Sequence, residues 1–254
     1  MVIKIILLLT TLFVLSCSCA NTKKSHTIAK ISEASGICFD KISKNLFVVG
    51  DEGYLYKLDT TGNILQSKHL GDYDFEGIAC DPKNNRLLLA VEGKDNILIV
   101  DPKHFRIQKE VNIKRSFHHE KLLVKDKKHG LEGITIHDEN IYLSNQSKHR
   151  YPHKDPSVII KVNDLRSLKT TIKERIDPRR IDISGLDYHE GFLYMVSDTL
   201  DKVFRFNMTT HKIDKSAKLP KFAQEGITFD DQDNIYFAND KGSVLKYKRE
   251  EIGI

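Results

Sequence analysis

Short apolar runs of four or five residues, each closed off by Asp, Asn, Gly or Lys, recur along the chain without any sustained helical period. Leu46-Phe47-Val48-Val49, Leu87-Leu88-Leu89-Ala90, Ile141-Tyr142-Leu143-Ser144, Leu193-Tyr194-Met195-Val196 and Ile235-Tyr236-Phe237-Ala238 are too short for helices. They read as buried β-strands. After each comes a segment in which apolar and polar residues mostly alternate, such as Leu55-Tyr56-Lys57-Leu58 and Val203-Phe204-Arg205-Phe206. That period of two suits a strand with one face buried.

Ahead of each run stands a glycine–aliphatic step: Ser35-Gly36-Ile37, Glu76-Gly77-Ile78, Glu132-Gly133-Ile134, Ser184-Gly185-Leu186 and Glu225-Gly226-Ile227. The glycines are 41, 56, 52 and 41 residues apart, which marks a repeat of one structural unit. A fourth, weaker strand follows in the first four copies, for example around Ile64 to Leu70 and Ile213 to Leu219. Four antiparallel strands per unit make a propeller blade. The fold expected is therefore all-β, a five-bladed β-propeller with four antiparallel strands per blade. An open solenoid or a sandwich is the competing architecture. The fifth copy runs out near Arg249, and the unclaimed segment 26–31 (HTIAKI) matches its missing strand. Pairing of that N-terminal strand with the last blade would close the ring and leave no bare edges. Only the segment around Asp164 to Lys173 has room for a turn or two of helix.

The repeat concentrates chemistry. In an antiparallel blade the start of the inner strand and the end of the second strand lie at one end. Glu76, Glu132 and Glu225 start inner strands; Asp51, Glu92, Asp198 and Asp240 follow second strands. Seven carboxylates at one mouth repel one another unless a cation sits between them. A hard divalent ion such as Ca²⁺, which takes roughly 6–8 oxygens, answers that need. The candidate ligands are Glu76, Glu132, Glu225, Asp198, Asp51 and Asn145, with Asn239 beside them. The plainer reading of the acidic turns is solvated capping. Ser35 and Ser184 fill the glutamate slot in the other two copies and read as small space-fillers.

Other motifs carry less. The stretch starting at Asp72 superficially matches an EF-hand loop, but Lys83 occupies its twelfth place and no helices flank it. His118, His119 and His129, with His149, Arg150 and His153, are spaced too irregularly for zinc and read as solvated basic loops, able to hold an anionic group above the metal only if they overhang the mouth. Net charge is +5 with a pI near 8.8, spread over scattered lysines. With no nucleic-acid fold signature, no nucleic-acid partner is expected.

The N-terminus has a secretory layout: one early lysine, an apolar stretch from Ile5 to Leu15, then Ser16-Cys17. Val14-Leu15-Ser16-Cys17 is similar to a bacterial lipobox, with Cys17 as the lipidated residue. The division expected is a signal peptide over 1–16, an anchor and linker over 17–25, and one propeller domain over 26–254. The protein would then be tethered to a membrane of the bacterial envelope, facing the periplasm. Cys38 lies two places after its glycine and Cys80 three places after, so they should point to opposite sides of neighbouring blades. No disulfide between them is expected.

The segments Glu33-Ala34-Ser35-Gly36-Ile37, Val48-Val49-Gly50-Asp51-Glu52-Gly53 and Asp74-Phe75-Glu76-Gly77-Ile78 resemble the SdiA-regulated, YjiK-like bacterial family. Gly130-Leu131-Glu132-Gly133-Ile134 and Gln224-Glu225-Gly226-Ile227 continue the resemblance over nearly all of 26–248. It implies a membrane-anchored five-bladed propeller with a calcium site in the mouth, carried most directly by Glu76, Glu132 and Glu225, and with no established activity. Two functions follow as expectations. One is a recognition module that binds an unknown small molecule or protein at a cation-loaded mouth. The other is a metal-dependent hydrolase of lactonase, esterase or phosphoesterase type, with Asp198 or Asp51 as base. No residue is marked as catalytic by the repeat.

Overall fold

Each glycine–aliphatic step lies in the innermost strand of a sheet: Ala34–Asp40, Phe75–Asp81, Leu131–His137, Gly185–His189 and Gln224–Phe229. The computed structural model describes residues 26–124, 130–162 and 165–254. From each inner strand the chain meanders outward. Blade 1 continues through Asn45–Gly50, Tyr54–Leu58 and Ile64–His69, and blade 2 through Arg86–Val91, Asn96–Asp101 and Arg106–Ile113. Blade 3 adds Asn140–Asn145, Val158–Val162 and Glu174–Ile176; blade 4 adds Phe192–Ser197, Lys202–Asn207 and Lys212–Lys218. The second strands are the apolar runs of the sequence, and they are buried on both faces because each blade packs between two others.

Blade 5 holds Gln224–Phe229, Asn234–Asn239 and Ser243–Lys248, and its outer strand is Thr27–Ala29. Thr27 pairs with Leu245 and Ala29 with Val244, antiparallel. The Lys246 amide donates to the His26 carbonyl at 2.8 Å, the His26 ring stacks on Tyr247 at 3.9 Å, and Ile31 is buried. The N-terminal strand thus closes the ring as the leftover segment implied. The stretch after Leu165 departs from expectation: instead of a helical turn, Lys169–Thr170 adds a parallel strand to the outer edge of blade 2. Asp164 is outside the described residues. A short helix, Arg249–Ile252, ends the chain's last blade.

Between blades the glycines permit very close approach. A Cβ at Gly77 would lie 2.2 Å from the Glu132 carbonyl oxygen, and one at Gly226 would lie 2.9 Å from the Ile37 amide nitrogen. Only a residue without a side chain lets neighbouring inner strands meet this closely.

One step further along the inner strands, a second device joins the blades. The residue two places after each glycine reaches the residue three places after the next glycine. The Thr135 hydroxyl accepts from the Tyr188 amide at 3.1 Å, Asp187 Oδ2 from the Phe229 amide at 3.0 Å, and the Thr228 hydroxyl from the Phe39 amide at 3.1 Å. At the equivalent joint stand the apolar Ala79 and Ile136, which belong to one hydrophobic cluster.

At the remaining joint Cys38 and Cys80 form a disulfide, with Cα atoms 5.8 Å apart. This corrects the expectation that they stay apart. They do point to opposite faces of their own sheets. In a ring, however, the forward face of one blade packs on the rear face of the next, so opposite orientation is what brings them together.

Candidate metal centre

All five inner strands start at the same end of the axis, and a backbone irregularity aims the acidic residues there. Pairing of inner and second strands slips between Phe75 and Gly77, between Leu131 and Ile134, and between Gln224 and Gly226. Glu76, Glu132 and Glu225 lie within these bulges, out of the regular alternation, and a bulge re-aims the side chain it carries. Asp51, Glu92, Asp198 and Asp240 follow the second strands at the same end.

The three glutamates share one electrostatic environment. Glu132 is buried, and its carboxyl is pushed well above the usual range by that burial and then by the neighbouring Glu76 and Glu225. Glu76 is raised likewise, by burial first and then by Asp51 and Glu92. Glu225 is raised by burial and by Asp198 and Asp182. Asp51 is pushed up to about 7 by burial and by Asp240 and Asp74. Each group's neighbours are the others, so the charges converge as the repeat implied.

Within the ring the tightest grouping is Asp51, Asp74 and Glu76, each offering an oxygen within 4.8 Å of the other two. Asp51 Oδ1 and Glu225 Oε2 are fully enclosed and have no hydrogen-bond partner among the described residues. Enclosed carboxylate oxygens without donors are costly, and an all-oxygen, anionic donor set suits a hard divalent cation. The residues present therefore fit such an ion.

The remaining candidates divide. Asp198 lies beside Glu225, accepts from the Gln224 amide at 3.3 Å, and is raised chiefly by burial. Asn145 is buried, with its amide nitrogen donating to the Pro156 carbonyl at 2.9 Å and to Asp155 at 3.3 Å. It thereby pins the loop that follows its strand. The Asn239 amide oxygen accepts from the Ala223 and Lys241 amides, which makes it a turn anchor. The serines do more than fill space. The Ser184 hydroxyl donates to the Gln224 carbonyl at 2.6 Å and the Ser35 hydroxyl to that of Phe75, tying blades together at the rim.

Asp74 and Asp182 also act on the mouth carboxylates, although they lie outside the positions next to the glycines and after the second strands. Both stand three places before a repeat glycine, as does Glu33, so the repeat itself carried the signal. Cys17 and His129 lie outside the described residues. His118, His119, His149 and His153 are exposed on loops at the mouth end and belong to no metal-holding group among the described residues. A second cluster, His189, Glu190 and Asp233, lies at the other end of the inner strands. There the Arg249 guanidinium already bridges Glu190 at 2.8 Å and Asp233 at 3.0 Å, so the cluster has its cation.

Fold and mouth together define a five-bladed β-propeller with a carboxylate-lined axial opening. The chain belongs to the SdiA-regulated family, whose model matches residues 20–241. Among solved structures it is similar to the glutaminyl cyclase of Myxococcus xanthus, with a TM-score of 0.66 and 12% identity over 88% of this chain and 93% of that one. It is also similar to a chain of a nidogen/laminin complex, with a TM-score of 0.51 and 16% identity over 85% of this chain and 75% of that one. At these identities the likeness is one of fold alone. No curated protein sequence matches the chain.

Proposed function

We propose that this propeller binds a divalent cation, calcium by preference, at its mouth and serves as a recognition module on the outer side of a bacterial membrane. The observation that carries the cation is the pair of enclosed, unpartnered oxygens, Asp51 Oδ1 and Glu225 Oε2, within a ring of mutually repelling carboxylates. An ion there would offset part of the charge of Asp51, Asp74, Glu76, Glu132 and Glu225 and fix the rim on which a small molecule or protein docks. The Cys38–Cys80 disulfide supports a site outside the reducing cytoplasm, in keeping with the secretory layout of the first residues and with anchoring through Cys17. No helix among the described residues is long and apolar enough to cross a membrane.

The test is calorimetric titration of chelator-treated protein with Ca²⁺, Mg²⁺ and Mn²⁺. Saturable binding that Glu132→Gln and Glu225→Gln weaken at least about tenfold supports the reading. Absence of binding by all three ions ends it.

One observation favours a second reading, a metal-dependent hydrolase. Asp51 stands beside Asp74 and Glu76 with an Oδ1 that no donor among the described residues occupies, placed to act as general base towards a metal-activated water. The cyclase likeness lends it no activity, being one of fold. Turnover of a lactone, aryl ester or phosphomonoester that needs added metal and is lost in Asp51→Asn would favour the enzyme. Metal binding without turnover would favour recognition.

A further inference from the structure

At the end of the axis opposite the mouth, the inner strands diverge around a cavity of about 950 Å³. Ile37, Ile78, Ile134 and Leu186 give it an apolar wall, and Asp187, Tyr188 and Lys41 bring polar chemistry to it. That size falls within the range of small-molecule sites.

Asp187 is the informative residue. It occupies an interblade joint whose counterparts are Thr135 and Thr228, where a single hydroxyl oxygen receives the next blade's amide. Asp187 does the same with Oδ2 alone, which accepts from the Phe229 amide at 3.0 Å and the Thr228 hydroxyl at 3.3 Å. A threonine would meet the structural need. The second oxygen and the charge exceed it, and Asp187 is only half-buried where it lines the cavity. A carboxylate open to a cavity can take a cationic partner there.

Four cations line the cavity, Lys41, Lys83, Arg86 and Arg166, and Arg166 has contacts of its own. Lys83 is paired with Glu139 and Arg86 with Asp81. Lys41 is exposed, attracts Asp187 from a distance, and makes no hydrogen bond or ion pair among the described residues. Tyr188 points to the other face of the strand, where its ring lines the cavity on the blade 3 side and stacks on His137 at 3.6 Å.

We propose that this cavity binds a small molecule bearing a primary ammonium group, with Asp187 as counter-ion, the isoleucine wall receiving its hydrocarbon part, and Lys41 receiving an anionic group where the ligand is zwitterionic. The site is separate from the carboxylate mouth and does not depend on a cation there.

The experiment compares phenylalanine, phenethylamine and phenylpropionate as probes, by calorimetry and ligand-observed NMR on the full protein. Phenylalanine should bind best, phenethylamine next and phenylpropionate least. Asp187→Asn should weaken the two ammonium probes at least about tenfold. Asp187→Thr, which restores the joint used in blades 3 and 5, should do the same while keeping the wild-type melting temperature. Lys41→Ala should erase the advantage of phenylalanine over phenethylamine. The proposal is overturned if neither ammonium probe binds at about 10 mM, or if binding survives unchanged in folded Asp187→Thr.

Discussion

Cys38 and Cys80 are bonded across the first interblade joint in the same register in which the Thr228 hydroxyl meets the Phe39 amide across the last. The disulfide is thus the covalent version of a contact the ring repeats. It spans 42 residues, and closing a loop of that length in the unfolded chain is worth about 3–4 kcal/mol. Reduction, or Cys38→Ser with Cys80→Ser, should lower the melting temperature by on the order of 10 °C in differential scanning calorimetry. Cys38→Thr with Cys80→Ala should recover part of that loss, because a threonine there can accept the residue 80 amide. Equal melting of oxidised and reduced protein would mean that the bond adds nothing to the joint.

The mouth carboxylates have the opposite effect on stability according to whether an ion is present. In chelator-treated protein, Glu132→Gln should raise the melting temperature, since it removes a buried charge facing Glu76 and Glu225. With Ca²⁺ added, the wild type should gain stability and the variant should gain much less. Scans of both proteins in EDTA and in Ca²⁺ test the pair of signs. A variant less stable in EDTA would show that Glu132 is held by packing and hydrogen bonding instead.

Asp51 gives the pH dependence its sign. Its folded pKa, near 7, exceeds the usual 3.8, so the folded state binds the proton more tightly than the unfolded one. That contribution to stability is fully present below 3.8 and is lost as pH rises through about 7. Glu76, Glu132 and Glu225 shift in the same direction. Metal-free protein should therefore melt at lower temperature at pH 8 than at pH 5.5. Saturating Ca²⁺ should narrow or reverse the difference, because protons and the ion compete for the same oxygens. A metal-free melting temperature that rises from pH 5.5 to 8 would contradict the carboxylate repulsion.

Removal of residues 1–31 should expose the Ser243–Lys248 edge that Thr27–Ala29 covers. An uncovered strand edge invites pairing with another chain. In size-exclusion chromatography the truncated protein should elute as larger species than protein starting at His26. Ile31→Ala, at a buried position beside the closing strand, should cost about 2–4 kcal/mol in urea unfolding.

The architecture was legible because each blade repeats one local pattern. Gly36, Gly77, Gly133, Gly185 and Gly226 mark equivalent points, and the short apolar runs after them have no other stable use. Even the closing strand followed from counting. The convergence of Glu76, Glu132 and Glu225 was legible for the same reason, whereas Asp74 and Asp182 stand three places ahead of their glycines, before the inner strand begins, where the repeat is less regular. The disulfide was missed through geometry. Side-chain parity within a strand is local, but which faces meet depends on how sheets stack in a ring. Asp187 gave no local sign at all: its contrast with Thr135 and Thr228 emerges only once the interblade joints are aligned.

The clasp between the two ends of the chain also sets an order of events during synthesis. Ala29 is made before any blade, yet its partner Val244 is made only after blades 1 to 4. Those four blades can form as they emerge, but the circle stays open, with blade 5 incomplete, until Val244 has been added. A chain halted shortly before Val244 would carry four built blades and a gap, a natural object for quality control to recognise.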